Sequence, residues 1–97
     1  MATDVDDDFY NRADQIIHVA NEQLTNVGRG KVSASCMYAT ARFNAWVTAC
    51  GHNSAPAMLA AREETIDYFT HQYRAMLAEN LDDYIAKFPE YMQRNGP

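Results

Sequence analysis

Histidine and carboxylate side chains recur at intervals of four in two parts of the sequence. The two rows are Asp14, His18 and Glu22, and Glu63, Asp67 and His71. On a helix each row forms one line, and two facing lines of this kind could bind Zn²⁺ or Mn²⁺. Each row, however, lies opposite the apolar residues of its own segment. We therefore expect solvated faces with no metal site and no cofactor, and we keep a metal- or small-ligand-binding protein as the alternative hypothesis.

The two cysteines, Cys36 and Cys50, are the obvious candidates for nucleophilic or redox chemistry. On one helix the fourteen-residue interval places them roughly 21 Å apart, whereas a disulfide needs Cα atoms within about 7 Å of each other. We expect both thiols to be reduced, buried core residues, as is typical of a reducing compartment. A redox role would require Cys50 to be exposed.

Other signs of catalysis are missing from the sequence. It has neither a Gly-x-Ser-x-Gly nucleophile motif nor a glycine-rich phosphate loop. The run Gly28-Arg29-Gly30-Lys31 could bind an anion weakly at a helix start, but such residues are also common in a simple turn between helices. The sequence thus indicates no catalytic residues and favours a protein that is not an enzyme.

The charge balance limits the partners. Against 8 Lys and Arg stand 13 Asp and Glu, for a formal net charge of −5 and a pI of about 4.9. This is opposite in sign to a nucleic-acid-binding surface. No charge-poor segment is apolar enough to cross a membrane, and the Asp-rich start lacks the basic and apolar regions of a signal peptide. We expect a cytoplasmic protein that binds neither nucleic acid nor membrane.

Three long segments, delimited by glycines and prolines, must position these residues, and each has helical periodicity. The first covers about residues 7–27, with Asp6 as the N-cap and Gly28 in the left-handed conformation that closes a helix. Apolar residues return along it every three or four positions. We expect its apolar stripe to face the core.

The second helix is expected at residues 34–50, with Ser33 as its N-cap and Gly51 as its stop. Arg42 is its only charged residue. A helix that is apolar nearly all round is usually covered on more than one side. We therefore place it centrally, covered by helices of its own chain or of a second copy.

The third segment, residues 55–87, begins with Ser54 as the expected N-cap and Pro56 in the first turn, and Pro89 ends it. Unbroken, it would be roughly 50 Å long and would extend beyond a compact domain of this size. A break near Asn80, giving a short fourth helix, or a second chain covering the overhang would resolve the conflict. We favour the break slightly over the second chain, and the two are compatible.

The predicted fold class is therefore all-α, an antiparallel bundle of three long helices in one domain over residues 1–97. Residues 1–5 and 93–97 are expected to be disordered tails.

The candidate functional residues are those that combine aromatic or cationic character with the charge-poor second helix or the chain end. They are Tyr38, Arg42, Trp46, Tyr84, Phe88 and Tyr91. Arg42 either pairs with Glu63, Glu64 or Asp67 in a buried site or marks an exposed strip. Aromatic residues and Arg are enriched in protein interfaces. We expect an unidentified protein partner, and a homodimer is one form that this contact would take.

Three stretches resemble a bacterial family of unknown function, the domain-of-unknown-function family 3144. They are KVSASCMYATARFNAW at residues 31–46, REETIDYF at residues 62–69 and ENLDDYI at residues 79–85. The resemblance spans nearly the whole chain and implies a stand-alone bacterial cytoplasmic protein of this length. It brings no assigned activity and no functional residues.

Overall fold

The structure, a computed structural model, describes residues 5–93, and every regular element in that range is a helix. Five helices follow one another: α1 Phe9–Gln23, α2 Arg29–Cys50, α3 Ala55–Ala60, α4 Arg62–Ala86 and α5 Phe88–Tyr91. The all-α class is confirmed. Apart from Val5 and Gln93, the tails predicted to be disordered lie outside the described residues.

Helix α1 is shorter than predicted at both ends. Its N-cap is Asp8, which makes no side-chain capping bond, so the prediction of Asp6 as the cap is wrong. The Asp6 carboxylate is instead bound by the guanidinium of Arg12, at 2.8 Å between Oδ1 and Nη2. The helix ends at Gln23, and residues 24–26 form a turn in which each N–H bonds to the carbonyl three residues earlier.

Helix α2 begins earlier than predicted. Gly28 has φ −63° and ψ 150°, so it is extended and serves as the N-cap of α2; the left-handed closure of α1 predicted for Gly28 is wrong. Its carbonyl accepts the N–H groups of Lys31 and Val32, which places Ser33 inside the helix and excludes it as the cap. The predicted stop at Gly51 is confirmed.

The third segment starts as predicted and breaks elsewhere. The hydroxyl of Ser54 accepts the Ala57 N–H at 3.2 Å, and Pro56 lies in the first turn of α3. The break falls at Ala61, so α4 runs through Asn80 without interruption. The Asn80 amide donates to the Met76 carbonyl at 2.8 Å, which satisfies the side chain within the helix and removes the reason to break there.

The helices pack openly. Helix α2 contacts α1 with the face that carries Val32 and faces α3 and α4 with the side that carries Ala45. The radius of gyration is 16.0 Å, against about 12.5 Å for a compact domain of this length. Val32 is the only buried residue between residues 5 and 93. No helix in that range is long and apolar enough to cross a membrane.

Of the two ways in which α2 was expected to be covered, cover by helices of its own chain does not extend to its second half. Trp46 is 61% exposed, and Phe43 and Val47 beside it are also exposed. The α2 residues that line a cavity against α1 lie between Lys31 and Thr40, so α1 faces only the first half of α2.

Candidate functional site

The second half of α2 presents aromatic side chains to solvent. The rings of Phe43 and Trp46 lie 5.6 Å apart between centroids, and Tyr38, two turns before Trp46, is also exposed. Arg42 lies between Tyr38 and Trp46 and is exposed. None of the ion pairs found within residues 5–93 includes Arg42, so the exposed alternative, rather than a buried site with a carboxylate, describes its place.

We define the α2 surface as Tyr38, Arg42, Phe43, Trp46 and Val47. Phe43 and Val47 were not among the sequence-based candidates, although they share the helical periodicity of Trp46. The exposed aromatic and aliphatic groups with one guanidinium make this surface suitable for contact with another protein.

The C-terminal candidates form a second, ordered cluster. The Tyr84 and Tyr91 ring centroids are 4.6 Å apart, and the Tyr91 hydroxyl donates to Asp83 Oδ2 at 2.7 Å. This hydrogen bond raises the pKa of the Tyr91 phenol, because the negative carboxylate favours the protonated hydroxyl. Lys87 Nζ lies 3.6 Å from the other oxygen of Asp83. Phe88 remains exposed.

The structure does not bring the two sets of candidates together. Each aromatic pair in the described part of the chain joins near neighbours in sequence, and none links the α2 surface to the C-terminal cluster. They are therefore two separate surfaces of one chain.

A groove separates α2 from α3 and α4, with a cavity volume of about 570 Å³. One wall consists of small side chains of α2, and the other of larger apolar ones. The principal lining residues are Ala41, Ala45, Thr48, Leu59, Ile66 and Phe69. Leu59 on the far wall is 70% exposed. The small residues that α2 contributes to the groove stand at helical spacing in the sequence, at positions 41, 45 and 48.

The histidine rows lie at the surface. His18 is exposed, and its Nε2 is 3.8 Å from Glu22 Oε2; His71 is exposed as well. Within residues 5–93, no three His, Cys, Asp or Glu side chains are grouped so that they could hold a metal ion.

Both cysteines are free, and they differ in exposure. Cys36 is half-buried and Cys50 is exposed, so the prediction of a buried core thiol is wrong for Cys50. The reason is the same as for Trp46, since both follow the part of α2 that α1 covers.

Fold and surfaces together define a small all-helical protein that leaves two aromatic surfaces and an apolar groove open. The chain belongs to the family described as protein of unknown function DUF3144, which matches residues 9–85. This confirms the family that the sequence motifs indicated.

A solved structure supports the same fold. The chain is similar to the NMR structure of a protein from Shewanella sp., with 38% sequence identity, a TM-score of 0.76 and coverage of 94% of this chain and 97% of the other. None of the curated proteins compared with the chain matches it.

Proposed function

We propose that this protein acts without catalysis, through protein–protein contacts, and that it does so as a homodimer in the bacterial cytoplasm. Its contact residues are Tyr38, Arg42 and Trp46 on α2 and Tyr84, Phe88 and Tyr91 at the C-terminal end. The observation that carries the proposal is the burial of a single residue, Val32, within residues 5–93.

The accessible surface supports association. The chain exposes 8439 Å², whereas a compact monomer of this mass exposes about 5600 Å². The excess is about 2800 Å² per chain, well above the roughly 800 Å² that each partner contributes to a standard interface. Obligate homodimers have large, apolar interfaces that resemble a divided domain core. An open helical chain with exposed aromatic residues fits that class.

Charge and cysteine chemistry support the remaining parts of the proposal. A net charge of −5 disfavours nucleic acid and anionic lipid surfaces as partners. Two free thiols agree with a reducing compartment. The sequence similarity to a Shewanella protein supports a bacterial source.

Light scattering coupled to size-exclusion chromatography tests the proposal on the full chain. We expect a mass of twice the 11.0 kDa of one chain, falling to one chain on dilution. Trp46 is the only tryptophan, so its emission should shift to longer wavelength as the dimer dissociates and the indole meets water. A mass of one chain at every concentration, with unchanging emission, would contradict the proposal.

A matched pair of variants assigns the contact to α2. Trp46→Ala should weaken the dimer, because it removes a large apolar side chain from the proposed interface. Tyr10→Ala is the control, since Tyr10 is an equally exposed aromatic residue on α1 that lies outside both surfaces. Equal effects of the two substitutions on the dimer mass would argue against the α2 surface.

The groove favours a second candidate function, binding of a small apolar molecule. Its volume of about 570 Å³ lies within the range of ligand sites. Titration with the dye 1-anilinonaphthalene-8-sulfonate should saturate at one molecule per chain, and Ala45→Leu should abolish binding by filling the groove. Ala49→Leu, outside the groove lining, is the control. Unsaturable binding that neither substitution changes would contradict this function.

A further inference from the structure

The groove that separates α2 from α3 and α4 carries one charged residue. Its walls consist mainly of alanine and larger apolar side chains, and its volume is about 570 Å³. Among the lining residues that the structure describes, Arg62 is the only charged one, although the chain holds 13 Asp and Glu. The one formal charge on the groove wall is therefore positive, opposite in sign to the net charge of −5.

Arg62 lies at one end of the groove wall that α4 provides. It is the first residue of α4, and Thr70 is the last α4 residue in the wall. Its Nη1 contacts the carboxylate of Glu63, a residue outside the groove lining. Within residues 5–93, Nε and Nη2 of Arg62 make no hydrogen bond. This free edge of the guanidinium presents two parallel N–H donors, the geometry that binds both oxygens of a carboxylate.

The rest of the groove offers little to a polar ligand. The Thr48 hydroxyl donates to the Asn44 carbonyl at 2.9 Å within α2. A bound peptide would place backbone N–H and C=O groups against mostly apolar walls, and those groups need hydrogen-bond partners. A hydrocarbon chain needs none and gains free energy by leaving water. The groove therefore favours an occupant that is apolar except at the Arg62 end.

We infer that the groove binds a single-chain aliphatic carboxylate, with the carboxylate on the free edge of Arg62 and the hydrocarbon chain directed along α4 toward Thr70. This inference rests on the second proposed function, the binding of a small apolar molecule, and adds the charge and the direction of the ligand. From Arg62 to Thr70 the helix rises about 12 Å. Carbon–carbon bonds of about 1.5 Å advance a zigzag chain by roughly 1.25 Å per carbon, so about ten carbons match this length.

Two ligands of equal chain length separate the contribution of charge from that of hydrophobic burial. Decanoate carries the carboxylate, and 1-decanol is its neutral counterpart. In isothermal titration calorimetry at neutral pH and low salt, decanoate should bind about fivefold more tightly than decanol, which is the upper range for an exposed ion pair. The difference should shrink as salt is added, since the Arg62 side chain is exposed.

A matched pair of arginine variants assigns the difference to Arg62. Arg62→Gln should remove the preference for decanoate and leave the affinity for decanol unchanged. Arg62→Lys should retain part of the preference, because the charge remains without the two-pronged geometry. Arg74→Gln is the control, since Arg74 is exposed on the same helix and lies outside the groove lining. Glu63→Gln should tighten decanoate binding about threefold, because it removes the carboxylate that competes for the guanidinium.

Each outcome decides a different part. Equal affinities for decanoate and decanol overturn the inference and leave the groove function intact. A preference for decanoate that survives in Arg62→Gln also overturns the inference, since another cation then holds the carboxylate. Binding of neither ligand overturns the inference, and a failure of the dye titration as well overturns the groove function.

A second copy of the chain is the competing occupant of the groove, and light scattering detects it. Decanoate that binds without changing the mass of the protein supports the inference, because ligand and second copy then occupy different surfaces. Decanoate that binds only as a dimer dissociates overturns it, because a second copy then fills the groove in the absence of ligand. Circular dichroism should report unchanged helix content in Arg62→Gln and Arg74→Gln.

Discussion

The Tyr91 hydroxyl donates a 2.7 Å hydrogen bond to the carboxylate of Asp83, eight residues earlier in the chain. Lys87 stands between them with φ −119° and ψ 30°, so α4 ends there and α5 turns back over its last turn. The Tyr84 ring packs against that of Tyr91. The contact therefore holds α5 against the end of α4 and leaves Phe88 exposed.

Tyr91, one of the six tyrosines, should ionise at a higher pH when its hydroxyl is bound to Asp83 than when this hydrogen bond is absent. The Asp83 carboxylate raises the pKa of Tyr91 by accepting its hydrogen bond, with smaller contributions from desolvation and nearby charges. An ultraviolet titration of tyrosinate in wild type and Tyr91→Phe should differ by one late-titrating group. If the missing group titrates at the ordinary pH near 10, the hydrogen bond is not formed in solution.

The same contact has a defined effect on stability. Because the folded pKa of Tyr91 is raised, its contribution is complete below the unfolded pKa near 10 and is lost as the pH rises through the folded value. Wild type should therefore lose stability relative to Tyr91→Phe only in alkaline solution. Urea unfolding at neutral and alkaline pH measures this difference.

Two serines that the sequence predicts to be N-caps differ in the structure: Ser54 caps α3, whereas Ser33 lies inside α2. Ser54→Ala should lower the free energy of unfolding by about 1 kcal/mol, since it removes the acceptor of the Ala57 N–H. Ser33→Ala should have no cost, or gain a few tenths of a kcal/mol (about 0.3), because Ser33 lies inside α2 where Ala has the higher helix propensity. Urea unfolding of both variants checks the pair. A cost at Ser33 would instead support Ser33 as a cap.

Local signals were predictable from sequence where the interaction is completed within a few residues. Ser54 needs only the N–H three positions on, and Gly51 ends α2 with bonds to the preceding turn. Asn80 was misjudged because its preference for caps says nothing about a bond to the carbonyl one turn earlier. Asp6 was misjudged because Arg12 competes for its carboxylate.

The sequence indicated which residues make up the candidate surfaces, but it did not indicate how exposed those residues are. The scarcity of charge on α2 predicts that Trp46 is covered, but the same pattern suits cover by its own chain or by another, and within residues 5–93 Trp46 is exposed. The choice depends on how far α1 follows α2, which is a property of the packing of whole helices. The spacing of apolar residues along α1 does not specify how far α1 follows α2.

Glycine substitutions test the turn between α1 and α2. Gly30 lies in the first turn of α2, and a Cβ there meets nothing within 4 Å, so Gly30→Ala should stabilise the fold by about 0.5 kcal/mol through helix propensity. Gly28→Ala should cost less than about 1 kcal/mol, because φ −63° suits any residue and only the preference for Gly over Ala at an N-cap is lost. A loss of about 1 kcal/mol or more at Gly28, seen by urea unfolding, would indicate the left-handed conformation instead.

The ion pair between Asp6, which precedes α1, and Arg12 within it predicts a change in stability at acid pH. Arg12 donates two hydrogen bonds to Asp6, and they lower the pKa of that carboxyl below its ordinary value. The contribution to stability is therefore present above the unfolded pKa of about 3.9 and is lost as the pH falls through the folded one. The effect on unfolding should be small, because both side chains are exposed and salt screens the pair.

The pair is best observed at the carboxyl carbon of Asp6 by NMR titration. Arg12→Gln should return the pKa of Asp6 toward its ordinary value, because the neutral amide offers a weaker hydrogen bond and no charge. Arg12→Lys should give an intermediate result, since the charge remains and the two-pronged geometry is lost. Identical titration of Asp6 in all three proteins would mean that the pair does not persist in solution. In that case Asp6 would be free to act as the N-cap that its position in the sequence suggests.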